Sequence, residues 1–306
     1  MAFFAITDAT TRGGSCFLAH TSTNVLMEQN TIRMAGTKAY PRQIGRGSGA
    51  WFYKCRYVVA QRNTVSGSRG AGDSSNIHVD LHNQHVLMQY NHFYDNIGYG
   101  LEILGDNTDV IVRYNISIDD GYRKPIGING MPHGGMLLLS GWEKNYRISI
   151  YTNTFVTRKG GGQPFWIQGG NEGRIYNNIF AALGEARLGP LLYPRYAGTL
   201  TVSRNLYVPT NTATDILRLD RNPVLGTPGF RLGQGYYSPK SYQLAWGSSA
   251  LRSGIWGQAS FARAGQGIFD QVSPVARQDF FGIKLPQNRP PNIGAYQGGG
   301  LRPANR

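Results

Sequence analysis

Three side chains in two short segments have the types and spacing to move protons. His78 and Asp80 lie in NIHVDL (76–81), and Glu102 lies in GLEILG (100–105). His78 stands thirteen residues before Asn91, Glu102 thirteen before Asn115, and Asp80 eleven before Asn91. The polar residues alternate with apolar ones: Ile77, Val79 and Leu81 around His78 and Asp80, Leu101 and Ile103 around Glu102. Strand side chains alternate between faces, so an inward apolar set sends His78, Asp80 and Glu102 outward together. Stacked as neighbouring strands, His78 and Glu102 would lie about 4.8 Å apart at Cβ, and Asp80 and Glu102 roughly 8 Å apart. Two carboxylates at that distance leave room for a water, as in inverting glycoside hydrolysis, with Asp80 and Glu102 sharing the acid and base work. The same pair, helped by a loop, could hold Ca²⁺, which makes Asp80 and Glu102 candidate metal ligands as well. The bland alternative is a solvated sheet face, which carries the same residue types.

That geometry requires stacked strands, and a repeat supplies them. Seven segments carry an asparagine in an alternating apolar frame: NVLMEQNTI (Asn30), YVVAQRNTV (Asn63), HVLMQYNHF (Asn91), VIVRYNISI (Asn115), RISIYTNTF (Asn153), GRIYNNIF (Asn178) and LTVSRNLYV (Asn205). The intervals are 33, 28, 24, 38, 25 and 27 residues. Period-two patterning marks strands rather than helices. A second strand recurs before the asparagines, as SCFLAH, GAWFYK, NIHVDL, GLEILG, GMLLLS and PFWIQG. Units of this length, with short strands and turns rich in Asn, Gly, Thr and Ser, stack as the coils of a parallel β-helix. Seven coils would form a rod on the order of 34 Å long. The asparagines should form one column, because a side-chain amide both donates and accepts and so satisfies the turn backbone and its own neighbour. Asp95 and Asp119 should stack likewise, as should Asn96 and Asp120, although turn chemistry alone explains Asp and Asn there.

The composition bounds the partners. The 306 residues include 31 Lys plus Arg, only seven of them Lys, against 17 Asp plus Glu, for a net charge of +14. An arginine-rich surface attracts polyanions and suits planar carboxylates. No known nucleic-acid recognition module is visible, so nucleic acid is the less favoured polyanion. No run is long enough to cross a bilayer as a helix, and no membrane partner is expected. The N-terminal MAFFAITDATTRGG lacks the pattern of a signal peptide. Two cysteines, Cys16 and Cys55, cannot build a disulfide framework and are expected to be free thiols. No zinc motif, phosphate-cradling Gly loop or nucleophile elbow is present.

From about Asn211 the repeat fades. The chain divides into β-helix coils over 1–210 and an irregular C-terminal tail over 211–306, packed on the rod, whose last residues, GGGLRPANR, should be loose. The tail carries YQLAWGSSALRSG (Tyr242–Gly254), DFFG (Asp279–Gly282) and NIGAYQ (Asn292–Gln297). With the repeat, these strings resemble right-handed parallel β-helix proteins of the pectate-lyase-like superfamily, over roughly residues 15–297. The resemblance implies an all-β single-stranded solenoid of about seven coils, secreted or at the cell surface. It also implies that substrate lies along the sheet holding His78, Asp80 and Glu102. One departure stands out: such rods usually begin with a capping segment, and here the Asn30 coil starts almost at once. The expectation is that missing residues or another chain cover this end.

The long interval before Asn153 adds Arg123, Lys124 and His133 beside the proposed groove, and neighbouring loops add Arg69, Arg158 and Lys159. Trp142 and Trp166 are candidate sugar-stacking rings, Trp166 being equally a core candidate. Elimination at a uronate needs a cation to neutralise the sugar carboxylate, a base to take the adjacent proton, and an acid for the leaving oxygen. His78, Lys124 and His133 are the base candidates, and Arg123 and Arg158 the neutralisers. The leading expectation is a lyase on an acidic polysaccharide, with no certain cofactor beyond a possible Ca²⁺. A glycoside hydrolase using Asp80 and Glu102 is the second reading. A non-catalytic carbohydrate-binding or structural module of a larger assembly is the third.

Overall fold

The computed structural model describes residues 5–6, 15–36, 47–69, 74–122, 135–159, 162–192, 199–209, 214–261 and 266–302. Arg123, Lys124 and His133 lie outside these residues. Every strand pairing within the coils is parallel, and each coil contributes three strands to three faces. The first face stacks Phe17–His20, Ala50–Tyr53, Ile77–Val79 and Glu102–Ile103. The second stacks Thr23–Glu28, Arg56–Gln61, Gln84–Gln89 and Thr108–Arg113. Two long strands, Leu137–Tyr151 and Gly162–Tyr176, run through both of these faces and join them into one sheet, with register shifts between Gly141 and Ile148 in the former. The third face is a separate nine-stranded sheet from Ala5–Ile6 to Val224–Leu225. Ala5–Ile6 pairs with Thr31–Ile32, so the third face extends one strand ahead of the Asn30 coil.

The inward rows make the core. Ile77, Val79, Val86, Met88 and Phe93 are buried together, and the same positions recur coil by coil. Each fully buried Val, Leu, Ile or Phe contributes roughly 1.5–3 kcal/mol before the cost of ordering the chain. Phe155, Phe180 and Tyr207 stack inside the third face, with ring centroids 5.2 and 5.7 Å apart.

The asparagines form one column. Asn30 Nδ2 donates to Asn63 Oδ1 at 3.0 Å, and the same bond runs on through Asn91, Asn115, Asn153 and Asn178 to Asn205. Asn205 then donates to the Asp220 carboxylate at 2.8 Å, where the column ends. The residue before each asparagine has a left-handed backbone: Gln29, Arg62, Tyr90, Tyr114, Thr152, Asn177 and Arg204 all have φ between 51° and 62°. That conformation costs a non-glycine residue roughly 1–2 kcal/mol. It turns each amide into the coil, where it bonds carbonyls such as Ala60 O and Met88 O. A second column, unanticipated from sequence, follows the first face. Asn83 donates to Asn107, the backbone N–H of Asn107 donates to Asn145, and Asn145 donates to Asn171.

The tail is ordered by two apolar seams. Tyr242, Leu244, Ile293 and Tyr296 cover Ile116, Ile118, Ile179 and Leu206 on the outside of the third face. Phe261, Ile268 and Phe269 cover Val59, Leu87 and Ile111 on the outside of the second. The helix Thr214–Leu219 sets Ile216 against the end of the core beside Val202 and Tyr207. The final segment is not loose as far as Arg302. Leu301 N–H donates to Leu244 O and Leu301 O accepts from Trp246 N–H, both at 2.9 Å, so a short strand-like pairing fixes it. Both cysteines are free; burial pushes the Cys16 thiol up to about 11.

Candidate functional site

The first face places His78 and Glu102 directly opposite each other on neighbouring strands, as the spacing predicts. The flanking Ile77, Val79 and Ile103 enter the core, so His78, Asp80 and Glu102 point outward. His78 Nε2 lies 3.6 Å from Glu102 Oε1 and 3.8 Å from Asp80 Oδ1. Ser75 Oγ accepts from Tyr99 N–H at 3.0 Å and donates its own proton to Glu102 Oε2. The Trp51 ring stacks on His78 with centroids 4.5 Å apart, and its Nε1–H donates to Asp80 Oδ2 at 2.6 Å. The result is an imidazole between two carboxylates, fixed by an indole on one side and a hydroxyl on the other.

The face differs from the solvated surface expected of polar outward residues. His78 and Glu102 have no exposed surface and Asp80 only 8%. Outward neighbours are buried too: Leu138 and Trp166 continue the His78–Glu102 column and pack with Tyr99 and Leu104. Trp166 is therefore an apolar covering residue with its Nε1–H bonded to Gln168, not an open sugar platform. Trp142 lies in Leu137–Tyr151, within the stretch of register shifts. Exposure on this face begins at Trp51, which is half-buried. A buried ionised carboxylate is costly unless hydrogen-bonded, which gives Ser75 and Trp51 their part in the constellation.

Trp51 and Ser75 were not read from the sequence. Trp51 stands twelve residues before Asn63, whereas His78 stands thirteen before Asn91, and counting back from the asparagine misaligns them by one. The strand pairing nevertheless sets Trp51 against His78. Ser75 sits in the turn that opens the NIHVDL strand, where serine is unremarkable in sequence.

The basic residues gather elsewhere on the coil. Arg69 Nη2 bonds Asp95 Oδ2 at 2.5 Å, and Lys159 Nζ bonds Asp95 Oδ1 at 2.7 Å. Burial raises the Asp95 carboxyl, but Lys159 and Arg69 together outweigh it and hold it below the usual range. Arg158 lies over the Tyr236 ring at 4.5 Å, and its backbone N–H donates to Asp119 at 2.7 Å. Tyr236 of the tail also donates to Asp119. The expected rim is thus a set of cations held at the corner after the third face, by Asp95 and by the tail. Asn96 and Asp120 do stack: Asn96 N–H and Nδ2 donate to Asp120 Oδ1 at 2.9 and 2.8 Å. Burial pushes the Asp120 carboxyl up to about 7, against hydrogen bonds from Ser117, Asn96 and Asn76. Asn76 also donates to Gly100 O, which braces the starts of the strands that carry His78 and Glu102.

Calcium does not fit Asp80 and Glu102. It takes six to eight oxygen ligands, whereas these carboxylates face an imidazole and accept bonds from Trp51 and Ser75. Among the described residues no group of three or more His, Cys, Asp or Glu side chains could hold a metal ion. No described helix is long and apolar enough to cross a membrane.

No curated protein matches the chain. Residues 4–141 match a family model described as the right handed beta helix region. The coils continue past that segment in unbroken parallel register to Val208 and Val224. Taken with the three stacked faces and the asparagine column, the match identifies the fold of the coils as a right-handed parallel β-helix.

Proposed function

We propose that this β-helix protein acts on an acidic, uronate-containing polysaccharide, and that His78, Glu102 and Asp80 carry the proton transfers. The observation behind this reading is the imidazole held 3.6 and 3.8 Å from two carboxylates on an outward sheet face. Its charge supports the substrate class: an excess of +14, mostly arginine, draws a polyanion. In the lyase form, His78 Nε2 takes the proton next to the uronate carboxylate. The C–O bond at the neighbouring carbon breaks, a carbon–carbon double bond forms, and a protonated carboxyl, Glu102 or Asp80, returns a proton to the leaving oxygen. Substrate would enter at Trp51 and Asp80, where the face meets solvent, with Trp51 as its stacking ring. Lys124 and His133 remain alternative bases, Arg123 the neutralising cation, and Trp142 a second ring. A pectate-lyase-like, secreted or cell-surface protein accords with this reading. The offset of Asp80 from Glu102, one coil and two residues, favours glycoside hydrolysis as the second reading.

The test is a panel of uronate polymers incubated with the chain, with and without Ca²⁺. Ultraviolet-absorbing unsaturated ends mark elimination, and reducing ends without them mark hydrolysis. Glu102→Gln and His78→Gln should each abolish product while the melting temperature shows the fold is kept. Absence of product from every acidic and neutral glycan would refute both enzymatic readings.

A further inference from the structure

The seam between the second face and the tail holds two cavities, about 440 and 300 Å³, that share Arg62, Tyr90 and Gln278. Together they form one groove within the size range of ligand sites. Its floor is an outward column of the second face, Glu28, Gln61 and Gln89, in register on successive strands, with Arg113 next in the column beneath the tail. Arg113 is fully buried. Its Nε and Nη2 donate to Gln89 Oε1 at 2.9 and 2.7 Å, and Nη1 donates to Pro274 O at 2.7 Å. Gln89 Nε2 donates to Gln61 Oε1 at 2.7 Å, and Gln61 Nε2 to Glu28 Oε1 at 2.6 Å. Arg62 completes the row with a 2.6 Å bond to Glu28.

This column is polar where the chain could have been apolar. The adjacent outward column, Val59, Leu87 and Ile111, packs directly on Phe261 and Phe269. The polar column itself turns aromatic at Tyr151 and Tyr176 in the next two coils. Polar side chains therefore occupy the part of the column that the groove faces. Burying a guanidinium and two amides is costly compared with packing the same space with hydrocarbon. What the arrangement provides is orientation, because Arg113 fixes both glutamines with their carbonyls toward it and their amide nitrogens toward Glu28. The opposite wall is the tail, with Gln271, Ser273, Arg277 and Gln278.

We propose that this groove is a second saccharide-binding site, for an oligosaccharide that carries a carboxylate. Sugar hydroxyls both donate and accept, and they are matched by side chains that do the same. The groove presents four glutamines, one serine and the Tyr90 ring. The charge of Arg62 is taken by Glu28, whereas Arg277 stands exposed on the wall with no acidic partner among the described residues. Its planar fork suits a sugar carboxylate. The site is separate from the His78 constellation and uses none of its residues.

The test uses the full chain carrying Glu102→Gln, so that no turnover interferes. Short galacturonate, guluronate and glucuronate oligosaccharides, and their carboxyl-reduced neutral counterparts, are titrated calorimetrically. At least one acidic oligosaccharide should bind. Arg277→Ala, at an exposed position, should weaken it about tenfold or more and narrow its advantage over the neutral counterpart. Trp51→Ala should leave this binding unchanged. Absence of acidic-oligosaccharide binding, full affinity in Arg277→Ala, or loss of binding only in Trp51→Ala would each overturn the proposal. Groove binding that follows Arg277 in a chain without turnover on any glycan would uphold it while refuting the catalytic reading.

Discussion

Replacing Asn115 with Ala tests how much the rod depends on its amide column. Asn115 Oδ1 accepts from Asn91 N–H and from Asn91 Nδ2, both at 2.9 Å. Its own Nδ2 reaches Asn153 Oδ1 at 2.9 Å, Arg113 O at 3.0 Å and Met88 O at 3.1 Å. Truncation strands two donors on Asn91, which has no exposed surface. A buried donor left unsatisfied costs about 1–3 kcal/mol, so the pair predicts a loss of about 2–6 kcal/mol. Against a typical total of roughly 5–15 kcal/mol, that is a large share. Asn115→Asp sharpens the test. The introduced carboxylate still accepts both Asn91 donors but meets Asn153 Oδ1 oxygen to oxygen, whereas the protonated carboxyl can donate across that contact. Its folded pKa is then raised above the ordinary carboxylate value of about 3.9. The variant keeps its stability below that value and loses it as pH rises through the raised folded value. Urea unfolding curves for wild type and both variants across pH measure this. A cost for Asn115→Ala within about 0.5 kcal/mol, the range of neutral surface changes, would refute the reasoning.

Other outcomes follow from single contacts. Burial raises Asp120 from an ordinary carboxylate value to about 7. The folded state therefore holds an extra proton between about pH 4 and about 7. This group's contribution is full below that window and falls as pH rises through it, and Asp120→Asn should flatten the fall in melting curves taken across the window. Tyr236→Phe removes the tail's bond to the Asp119 carboxylate and should cost about 1.5–3 kcal/mol in a urea melt, typical of a hydrogen bond to a charged group. Gly121 has φ +71°, and an added Cβ would sit 2.1 Å from Gly135 O. Gly121→Ala should therefore yield little folded protein in an expression and circular dichroism comparison.

The asparagine column was legible because one residue type recurs within a fixed apolar frame, and a frame of period two admits only a strand. The second column was equally regular but less conspicuous. Asn83, Asn107 and Asn145 each stand eight residues before a first-column asparagine, in corners such as DLHN and LGDN that lack an alternating apolar frame on both sides. The outward direction of His78, Asp80 and Glu102 was readable from alternation. Their burial was not, because alternation gives the side a residue faces and not what lies over that side. The capture of Arg69 and Lys159 by Asp95 had a signal. Both cations stand six residues after their asparagines, and Asp95 four after its own. Reading it required placing opposite charges one and two coils apart rather than counting cations. The seam groove had none, since Arg113 meets Pro274 across 161 residues of sequence.

All seven amides of the first column donate in one direction, and Asp220 receives the last bond through an oxygen that can only accept. The rod therefore has a punctuated grammar. Any coil that arrives with its own asparagine can be spliced in upstream, because it offers its predecessor an acceptor and its successor a donor. Past Asp220 no such splice is possible, for the carboxylate has no proton to hand onward. Gene duplication could lengthen this molecule from within the column but not beyond its final full stop.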